Sequence, residues 1–254
     1  MVAIVLAAGY ATRLYPITLN APKALLDIGD RTMLDYIIDK INRLEDLSRI
    51  VIISNAKFYK HFTDWKDKRF AKYVNGGLNR MTDLIILNDG TASEQTRLGA
   101  IGDIIFAIDT LSIDDDVVII AGDNFFTFQL TDMYAYFKQV GVDCIAVKRI
   151  SDRNALKNFG VAVMDADCRV IDFEEKPQNP KSDCAVFATY FYKRETLPLF
   201  SVYIDEGNPK DAPGNFPAWL CKKKHISAYV FDGDCYDVGT SEAYEHICKL
   251  YGKE

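Results

Sequence analysis

Residues 6–16 read LAAGYATRLYP, and PKALL follows at residues 22–26. The run before them, residues 2–6, is apolar and rich in β-branched side chains, so we predict a buried strand that ends at the small residues. A loop of alanine and glycine lets backbone N–H groups approach a ligand closely. Arg13 and Lys23 add a guanidinium fork and a point charge, which suit the oxygens of a triphosphate. The loop alone is equally typical of an ordinary strand end beside two surface cations.

The spacing across both segments resembles the signature L-A-A-G-x-x-T-R-L-x-P and P-K-A-L-L of the sugar-1-phosphate nucleotidyltransferases, the pyrophosphorylases that make NDP-sugars. The resemblance implies an α/β, Rossmann-like fold with a mixed, mostly parallel sheet flanked by helices. It also implies that four loop residues bind the nucleotide: Leu6, Ala7, Ala8 and Gly9. Arg13 and Lys23 are implied as catalytic residues that hold the triphosphate and stabilise the departing pyrophosphate. Ala11 stands where many relatives have a second glycine, so we expect a slightly stiffer loop that still binds.

Length and composition narrow the classes of protein that fit. The 254 residues are ample for a sizeable core, and 49% of them are hydrophobic, which excludes a disordered chain. The net charge of -6 argues against a nucleic-acid partner, since general nucleic-acid binders carry a basic excess. Because no linker-like stretch intervenes, we predict one domain with three parts. These are a nucleotide-binding core at about 1–140, a sugar-phosphate-binding elaboration at about 141–235, and a metal-binding turn with a helix at 236–254.

The hydrophobic pattern and the spacing of the cysteines predict a cytoplasmic protein. The opening apolar run, residues 1–8, is too short to span a bilayer and lacks a basic leader, so we expect no signal peptide and no membrane partner. Six cysteines are widely spaced without a C-x-x-C pair: Cys144, Cys168, Cys184, Cys221, Cys235 and Cys248. We therefore expect free thiols rather than disulfides. The three histidines are also scattered, which argues against a zinc site.

Hydrophobic periodicity predicts the first layer of the fold. Apolar residues recur at helical spacing over residues 32–47, and residues 49–54 form a second apolar run typical of a buried strand. Together with the strand at residues 2–6, they predict a βαβ unit with parallel strands.

Residues 57–73 interleave basic and aromatic side chains, a pattern that surfaces binding single-stranded nucleic acid also show. Phe58, Phe62 and Trp65 nevertheless share one helical face, and acidic residues interrupt the charge. The pattern therefore favours a helix with one face in the core and the other in solvent.

A third strand is predicted at residues 83–88 and a helix at 97–109, entered through the sequence L-G-A-I-G. The two glycines are equally typical of close packing between a helix and a strand. In the family that the chain resembles, a similar L-G-x-x-G segment lies against the nucleotide base. The resemblance thus makes Gly99 a candidate base contact and Gln95 a further one.

The apolar run at residues 116–121 predicts a strand that ends in G-D-N-F-F, which places Asp123 at its carboxyl end. Ligands in open α/β sheets bind outside such strand ends. Asp and Asn after a strand also make ordinary turns. The match to the family's G-D-N implies that Asp123 contacts the nucleotide and ligates Mg²⁺, a cation that one or two carboxylates and phosphate oxygens commonly hold.

Further strands are predicted at residues 142–148, 159–164, 169–173 and 184–192, with a helix at 131–140. The charged sequence E-E-K-P at residues 174–177 reads as a strand end that runs into a proline loop. It also resembles the family's E-E-K-P, in which the lysine contacts the sugar phosphate and the glutamate a sugar hydroxyl. The resemblance thus implies a catalytic, substrate-binding role for Lys176 and a substrate contact for Glu175, and a lysine there would lower the repulsion between two anions that must meet.

Two more residues are assigned to the acceptor by the resemblance. Gly160 matches a glycine that lies under the sugar, and Tyr190 falls in a segment that usually reads G-x-Y-x-Y. Ala188 replaces the glycine of that segment, so the sugar pocket departs from the family pattern. The following stretch, residues 211–220, occupies the place of the family's acidic, helix-opening segment near the substrate. From its residues alone we favour a turn, an Asn215 cap and a short buried helix.

The last motif, C-Y-D-V-G-T at residues 235–240, resembles the family's W/Y-x-D-[IV]-G-T element. Thr240 or Ser241 is expected to cap the helix that follows. A capping turn explains the glycine and the threonine but leaves Asp237 unexplained. In the family this aspartate is the second metal ligand, so the resemblance implies that Asp123 and Asp237 hold one Mg²⁺.

The resemblance implies a reaction without a covalent intermediate, in which a sugar-1-phosphate oxygen attacks the α-phosphorus of an NTP. The resemblance is compatible with a homo-oligomer and does not decide the oligomeric state. One alternative keeps this chemistry but uses a non-sugar phosphate such as phosphocholine, whose ammonium group prefers aromatic faces; Phe187, Tyr190, Phe191 and Tyr192 are candidates. A second alternative is a non-catalytic member that binds nucleotide only.

Overall fold

A computed structural model describes residues 1–75 and 82–252. Its strands are β1 Val2–Leu6, β2 Asp27–Ile28, β3 Arg31–Thr32, β4 Arg49–Ser54, β5 Asp83–Asn88, β6 Val117–Ala121, β7 Asn124–Phe126, β8 Asp143–Arg149, β9 Gly160–Met164, β10 Val170–Glu175, β11 Cys184–Tyr192, β12 Ile226–Val230 and β13 Cys235–Asp237. Its α-helices are α1 Met33–Ile41, α2 Tyr59–Asn75, α3 Ala100–Leu111, α4 Leu130–Val140, α5 Arg153–Leu156, α6 Pro198–Asp205, α7 Asn215–Leu220 and α8 Ser241–Tyr251. Single 3₁₀ turns lie at Thr12–Leu14, Lys23–Leu25, Glu94–Thr96 and Arg194–Thr196.

A nine-stranded sheet in the order β10-β9-β11-β6-β1-β4-β5 forms the centre, with β8 beside β11 and β12 beside β8. Strands β6, β1, β4 and β5 are parallel to one another. Strand β11 runs antiparallel to β6, β8 and β9, and so joins this parallel half to an antiparallel half. The predicted α/β fold with a mixed sheet is confirmed. The predicted single-domain organisation stays a prediction, and residues 253–254 of its third part lie outside the described residues.

The parallel half is buried on both faces, which explains its continuous apolar runs. Ala3 and Val5 pack in one core cluster, whereas Val2 and Ile4 pack in the cluster on the opposite face. Helix α2 buries Phe58, Phe62 and Trp65, as predicted, in the cluster that holds Ala3 and Val5. The predicted βαβ unit is confirmed, because α1 lies between β1 and β4 in the chain and the two strands pair in parallel.

Two predicted helix boundaries are wrong. Helix α1 ends at Ile41 rather than near residue 47; Thr32 caps its beginning through a capping box with Asp35. Helix α3 begins at Ala100 rather than at residue 97, because Gly99 has a φ of 79° that no helix residue adopts. Thr240, and not Ser241, caps α8, with its side chain accepting a hydrogen bond from the Ala243 N–H.

Two short strands that the periodicity did not predict complete the architecture near the carboxyl ends of β1 and β6. Strand β13 pairs antiparallel with β7, and the register places Asp237 opposite Asn124. All six cysteines are free, as predicted. No helix within residues 1–75 and 82–252 combines the length and the apolar character needed to cross a membrane.

Candidate active site

A cavity of about 500 Å³ opens at the carboxyl ends of β1 and β6. Most of the residues that the sequence assigned to a site line it: Leu6, Ala8, Gly9, Arg13, Gly99, Asp123, Gly160, Glu175, Lys176, Tyr190 and Asp237. Residues of β1, β6, β7, β9, β10, β11, β13 and the start of α3, together with Asp89 after β5, thus meet in one place. Fold topology therefore brings together segments that are far apart in the sequence.

Three of the assigned residues are not part of the cavity wall. Ala7 packs in the core cluster that holds Ala3 and Val5, and its N–H donates to the Ile53 carbonyl. Gln95 lies exposed on the Glu94–Thr96 turn. Lys23 does not line the cavity itself, but its ammonium contacts two carboxylates that do.

Backbone geometry holds the small-residue loop open toward the cavity. A Cβ atom built on Gly9 would meet no protein atom within 4 Å, so the space beside this residue is free for a ligand. The buried Asn55 donates its Nδ2 to the Ala8 carbonyl at 2.8 Å and fixes the loop from below. Ala11 adopts the left-handed region with φ 48°, and the Thr18 hydroxyl donates to its carbonyl. The motif analysis did not select Asn55, although a polar residue directly after the apolar run of β4 was a signal in the sequence.

The two predicted metal ligands converge on the same cation. The Lys23 ammonium lies 2.9 Å from Asp123 Oδ2 and 3.6 Å from Asp237 Oδ1. The Lys23 side chain is only 11% exposed, so its ammonium is held in a fixed position by the surrounding protein. Two carboxylates that line the cavity and one ammonium therefore form a compact charged centre.

Backbone pairing explains how Asp237 reaches Asp123. Asp237 ends β13, which is paired to β7, and the N–H of Val238 donates to the Asp123 carbonyl at 3.1 Å. Partial removal from water and the neighbouring Asp123 carboxylate raise the pKa of Asp237, whereas Lys23, Lys176 and Arg13 act in the opposite direction. Cations from three segments of the chain thus favour the ionised form of Asp237.

Carboxylate oxygens are the donors that Mg²⁺ prefers, and Asp123 with Asp237 supplies two of them on adjacent strands. Within the described residues, no group of three or more His, Cys, Asp or Glu side chains is placed to hold a metal. The donor set therefore fits a magnesium ion that completes its shell with substrate phosphates and water, and it does not form an all-protein cage.

Asn124 was not assigned a role from the sequence, yet it lines the cavity beside Asp123. Its side chain is 4% exposed, and Nδ2 has no hydrogen-bond partner among the described residues. A buried amide donor without a partner costs free energy, which an oxygen atom of a ligand in the cavity would recover.

The antiparallel end of the cavity carries the second predicted cluster. Lys176 lies at the end of β10 in the left-handed region, with φ 48°, a strained conformation for a side chain of this size. Burial raises the pKa of its neighbour Glu175, and the Lys176 charge opposes this rise. Glu175 Oε2 lies 3.0 Å from the position that a Cβ on Gly160 would take, and even closer to that of Gly214. Both glycines therefore leave room for the Glu175 carboxylate.

Aromatic rings complete this end of the cavity. Phe159 and Phe187 line it with ring centroids 4.9 Å apart, next to the buried Tyr190. Strand β11 shifts its register against β8 between Phe187 and Tyr190, and Ala188 lies in this irregularity and lines the cavity. The replacement of a family glycine by Ala188 thus falls at a point where the strand is already distorted.

The segment before α7 forms part of the cavity wall. Residues 211–214 line the cavity, and Arg97, which also lines it, pairs with Asp211 at 3.2 Å. The predicted turn and short buried helix are present. The predicted cap is wrong, because α7 begins at Asn215 with Gly214 at the N-cap position.

The remaining end of the cavity contains two carboxyl groups that the sequence analysis did not select. Asp89 follows β5, and Asp103 lies in the first turn of α3; both line the cavity. Burial and the neighbouring Asp89 raise the pKa of Asp103 to about 8. Helical periodicity was the available signal, because Asp103 shares the buried face of α3 with Ile104 and Ala107.

Comparison with known proteins gives a consistent result. The sequence profile of the family described as nucleotidyl transferase matches residues 2–254. A glucose-1-phosphate thymidylyltransferase of Streptomyces antibioticus is 32% identical over 196 residues, 76% of this chain and 49% of that protein. A glucose-1-phosphate adenylyltransferase of Desulfitobacterium hafniense is 26% identical over 259 aligned positions, 96% of this chain and 62% of that protein.

The same architecture occurs in solved structures. The structure of UDP-glucose pyrophosphorylase complexed with UDP-glucose superposes with a TM-score of 0.81 at 19% identity, over 99% of this chain and 98% of that chain. This likeness shows the fold. The chain spans from about half to about three fifths of the length of the curated relatives it matches.

Proposed function

Because this chain belongs to the nucleotidyl transferase family, we propose that it joins an NTP and a sugar-1-phosphate to give an NDP-sugar and pyrophosphate. The observation that carries the proposal is the charged centre of Asp123, Asp237 and Lys23, which lies between the Gly9 loop and the Glu175–Lys176 corner. A cavity with cations at the Gly9 loop and at Lys176, and with carboxylates near both, suits the meeting of two phosphate groups.

The reaction forms a bond between a sugar-1-phosphate oxygen and the α-phosphorus of the NTP, and it breaks the bond to pyrophosphate in line. Arg13 and Lys23 bind the triphosphate and neutralise the charge that pyrophosphate carries away. Lys176 holds the acceptor phosphate against the α-phosphorus, which reduces the repulsion between the two anions. Asn124 Nδ2 donates to a phosphate or sugar oxygen. No general base is needed, because the attacking phosphate oxygen is already ionised.

Asp123 and Asp237 would hold the Mg²⁺ on which this chemistry depends, together with phosphate oxygens. When bound, the ion draws negative charge from the phosphates that meet at the centre. Lys23 keeps the two carboxylates close together and partly neutralised, so that the site is organised before substrates arrive. We place the reaction in the cytoplasm, where six free thiols stay reduced.

A pyrophosphate-release assay over a panel of NTPs crossed with sugar-1-phosphates and phosphocholine tests the proposal. We expect turnover with at least one sugar-1-phosphate and none with phosphocholine. Turnover with phosphocholine alone would mean that phosphocholine, and not a sugar-1-phosphate, is the acceptor substrate. Its ammonium group would then find aromatic faces at Phe159 and Phe187. Silence across the whole panel, with Mg²⁺ present, contradicts catalysis and favours a member that only binds nucleotide.

The metal centre has its own test. Asp123→Asn keeps the size of the side chain and removes one of two anionic oxygen donors, so we expect turnover to fall at least about a hundredfold. Asp205→Asn, which removes an exposed carboxylate at the end of α6, is the matched control and should retain turnover. Unchanged turnover in Asp123→Asn, with circular dichroism showing an intact fold in both variants, rejects the metal role.

A further inference from the structure

The end of the cavity beside β5 contains a pair of carboxyl groups that the proposed chemistry does not use. Asp103 is 6% exposed, and within the described residues no donor reaches its shielded Oδ1. Asp89 faces it and accepts hydrogen bonds from Thr91, at 2.7 Å from the N–H and 2.8 Å from the hydroxyl. A buried carboxyl oxygen without a donor is costly, so its presence in a cavity wall calls for a ligand or a functional reason.

The pKa values of both carboxyl groups of this pair are raised. Burial first, and the Asp89 charge second, raise the pKa of Asp103 to about 8, and Asp103 hydrogen bonds with Asp89. Burial also raises the pKa of Asp89, against the hydrogen bonds from Thr91. These shifts favour a proton held between the two groups, which leaves further lone pairs of the Asp89 carboxylate in the cavity wall as hydrogen-bond acceptors.

The pair is held rigidly relative to the phosphate loop. The hydroxyl of the buried Tyr10, directly after Gly9, lies 3.4 Å from Thr91 Oγ1, and Thr91 in turn binds Asp89. Asp103 is fixed by the first turn of α3, where its N–H donates to the Gly99 carbonyl at 2.8 Å. Acceptors fixed in this way discriminate between ligands more sharply than side chains that can turn aside.

The charge of the pair decides which part of a nucleotide it can meet. Phosphate groups are repelled by carboxylates and belong beside the cations Arg13 and Lys23. A sugar hydroxyl donates one hydrogen bond at a time, whereas the Asp89 carboxylate, braced by Asp103, presents a row of two acceptor oxygens in the cavity wall. A neutral, planar group with adjacent N–H donors fits such a row best.

The geometry points to Asp89 and Asp103 as the residues that select the nucleobase, and to guanine as the base that they take. This inference rests on the proposed function: with the triphosphate held by Arg13 and Lys23, the base of the nucleotide is left to the end of the cavity that Asp89, Gly99 and Asp103 line. Guanine offers its ring N1–H and its exocyclic amino group side by side. Uracil and thymine offer one N–H between two carbonyl oxygens, and adenine and cytosine offer an amino group beside a ring nitrogen acceptor. Carboxyl oxygens repel each of those flanking acceptors. The relatives are named for different bases, as thymidylyl-, adenylyl- and guanyl-transferases, so kinship leaves the base open.

The sharpest test changes the ligand and leaves the protein unmodified. Inosine triphosphate has the shape of GTP without the exocyclic amino group. By titration calorimetry with Mg²⁺, we expect GTP to bind about tenfold to a hundredfold more tightly than ITP, the value of one hydrogen bond to a charged acceptor. UTP, dTTP, ATP and CTP should bind more weakly still. Equal affinity for GTP and ITP, or tighter binding of any other NTP, overturns the assignment.

Variants then connect the preference to the pair. Asp89→Asn and Asp103→Asn should each bring the ratio of GTP to ITP affinity close to one. Asp109→Asn, an exposed carboxylate farther along α3, is the matched control and should keep the original ratio. A ratio that stays unchanged in both pair variants while thermal unfolding shows folded protein assigns the preference to other residues and rejects the inference.

Binding and turnover separate this inference from the proposed function. If GTP binds more tightly than ITP and no acceptor in the panel releases pyrophosphate, the base assignment stands and the proposed reaction fails. If pyrophosphate is released with another NTP and GTP is ignored, the reaction stands and the base assignment fails. Absence of binding for every NTP overturns both.

Discussion

The two ends of the cavity are held in place by different means. The end beside β5 is built on parallel strands and on a polar network in which Tyr10 contacts Thr91 and Thr91 binds Asp89. The end beside β9 and β10 is built on antiparallel pairs, with Lys176 in a strained conformation and Glu175 seated against glycines. The hydrogen-bond network at the β5 end determines which chemical groups can bind there. Close packing at the other end determines where the sugar-1-phosphate can lie. We therefore expect substitutions at the two ends to affect different substrates.

Lys176→Ala should give the largest effect and should fall on one end only. Removing the ammonium leaves the acceptor phosphate without its neutralising partner, so we expect kcat/KM for the sugar-1-phosphate to fall about a hundredfold. The KM for the NTP should change less than about twofold. Steady-state kinetics with each substrate varied in turn measures both values.

Lys181→Ala is the control for that variant, since it removes an exposed lysine that pairs with Asp172 and Glu174 away from the cavity. It should leave both kinetic constants close to those of the unmodified protein. A loss in Lys176→Ala that is confined to the affinity for NTP would refute the division between the two ends.

Gly9→Ala should act on the nucleotide, with little cost to the fold. A Cβ there meets no protein atom, so only a bound ligand would feel it, and we expect NTP affinity to fall about tenfold at an unchanged melting temperature. Gly122→Ala is the contrasting variant, because its Cβ would lie 2.9 Å from the Leu6 carbonyl oxygen. It should lower the free energy of unfolding by about 1–3 kcal/mol. Thermal unfolding and nucleotide titration of both variants check the contrast, and a destabilised Gly9→Ala would show that the loop lacks the free space.

The carboxyl pair predicts a pH dependence of stability. Because the pKa of Asp103 is raised to about 8 in the folded protein, the folded state holds a proton that the unfolded state has released above pH 4. Folding is therefore favoured at low pH, and stability is lost as pH rises toward 8, by up to roughly 1.4 kcal/mol per pH unit from this group. Denaturant unfolding at pH 5, 6, 7 and 8 measures the slope.

Asp103→Asn supplies the reference for that slope, since the amide stays neutral at every pH and all other titrating groups are shared. Unfolding free energies of the unmodified protein should decline relative to those of the variant as pH increases. Parallel curves would mean that Asp103 is ionised in the folded protein and that the pair holds no proton.

Ala11→Gly should have the smallest effect. The left-handed conformation of Ala11, with φ 48°, strains any residue that carries a Cβ, and glycine relieves that strain while adding freedom to the unfolded chain. The two contributions nearly cancel, so we expect the free energy of unfolding to change by less than about 1 kcal/mol and NTP affinity to stay within about twofold. Denaturant unfolding with nucleotide titration checks both. A large loss of affinity would show that the stiffer loop is required for binding.

Sequence patterns predicted the parallel half of the molecule well, for a physical reason. Strands buried on both faces require continuous apolar runs, and the loops after β1 and β6 carry motifs of fixed spacing, so Gly9, Lys23 and Asp123 were found from the residues and the family resemblance. The family prediction is confirmed by the profile match over residues 2–254. The roles of individual site residues stay predictions.

The rest depends on contacts that no local pattern encodes. Strands β7 and β13 are three residues each, too short for periodicity to reveal, yet their pairing brings Asp237 to Asp123. Asp89 precedes a glycine and reads as an ordinary turn, and its burial becomes visible only when α3 is placed beside it. Asn124 carries no signal beyond its motif, because an unpaired amide is a property of the folded surroundings.

The pairing of β13 with β7 has a consequence for the timing of activity during synthesis. Strands β1, β4, β5 and β6 and the Gly9 loop are synthesised before Asp237, which β13 supplies. The ribosome therefore delivers the residues of the nucleotide loop before the second acidic ligand. The two carboxylates can meet only after β13 has been made and has paired with β7.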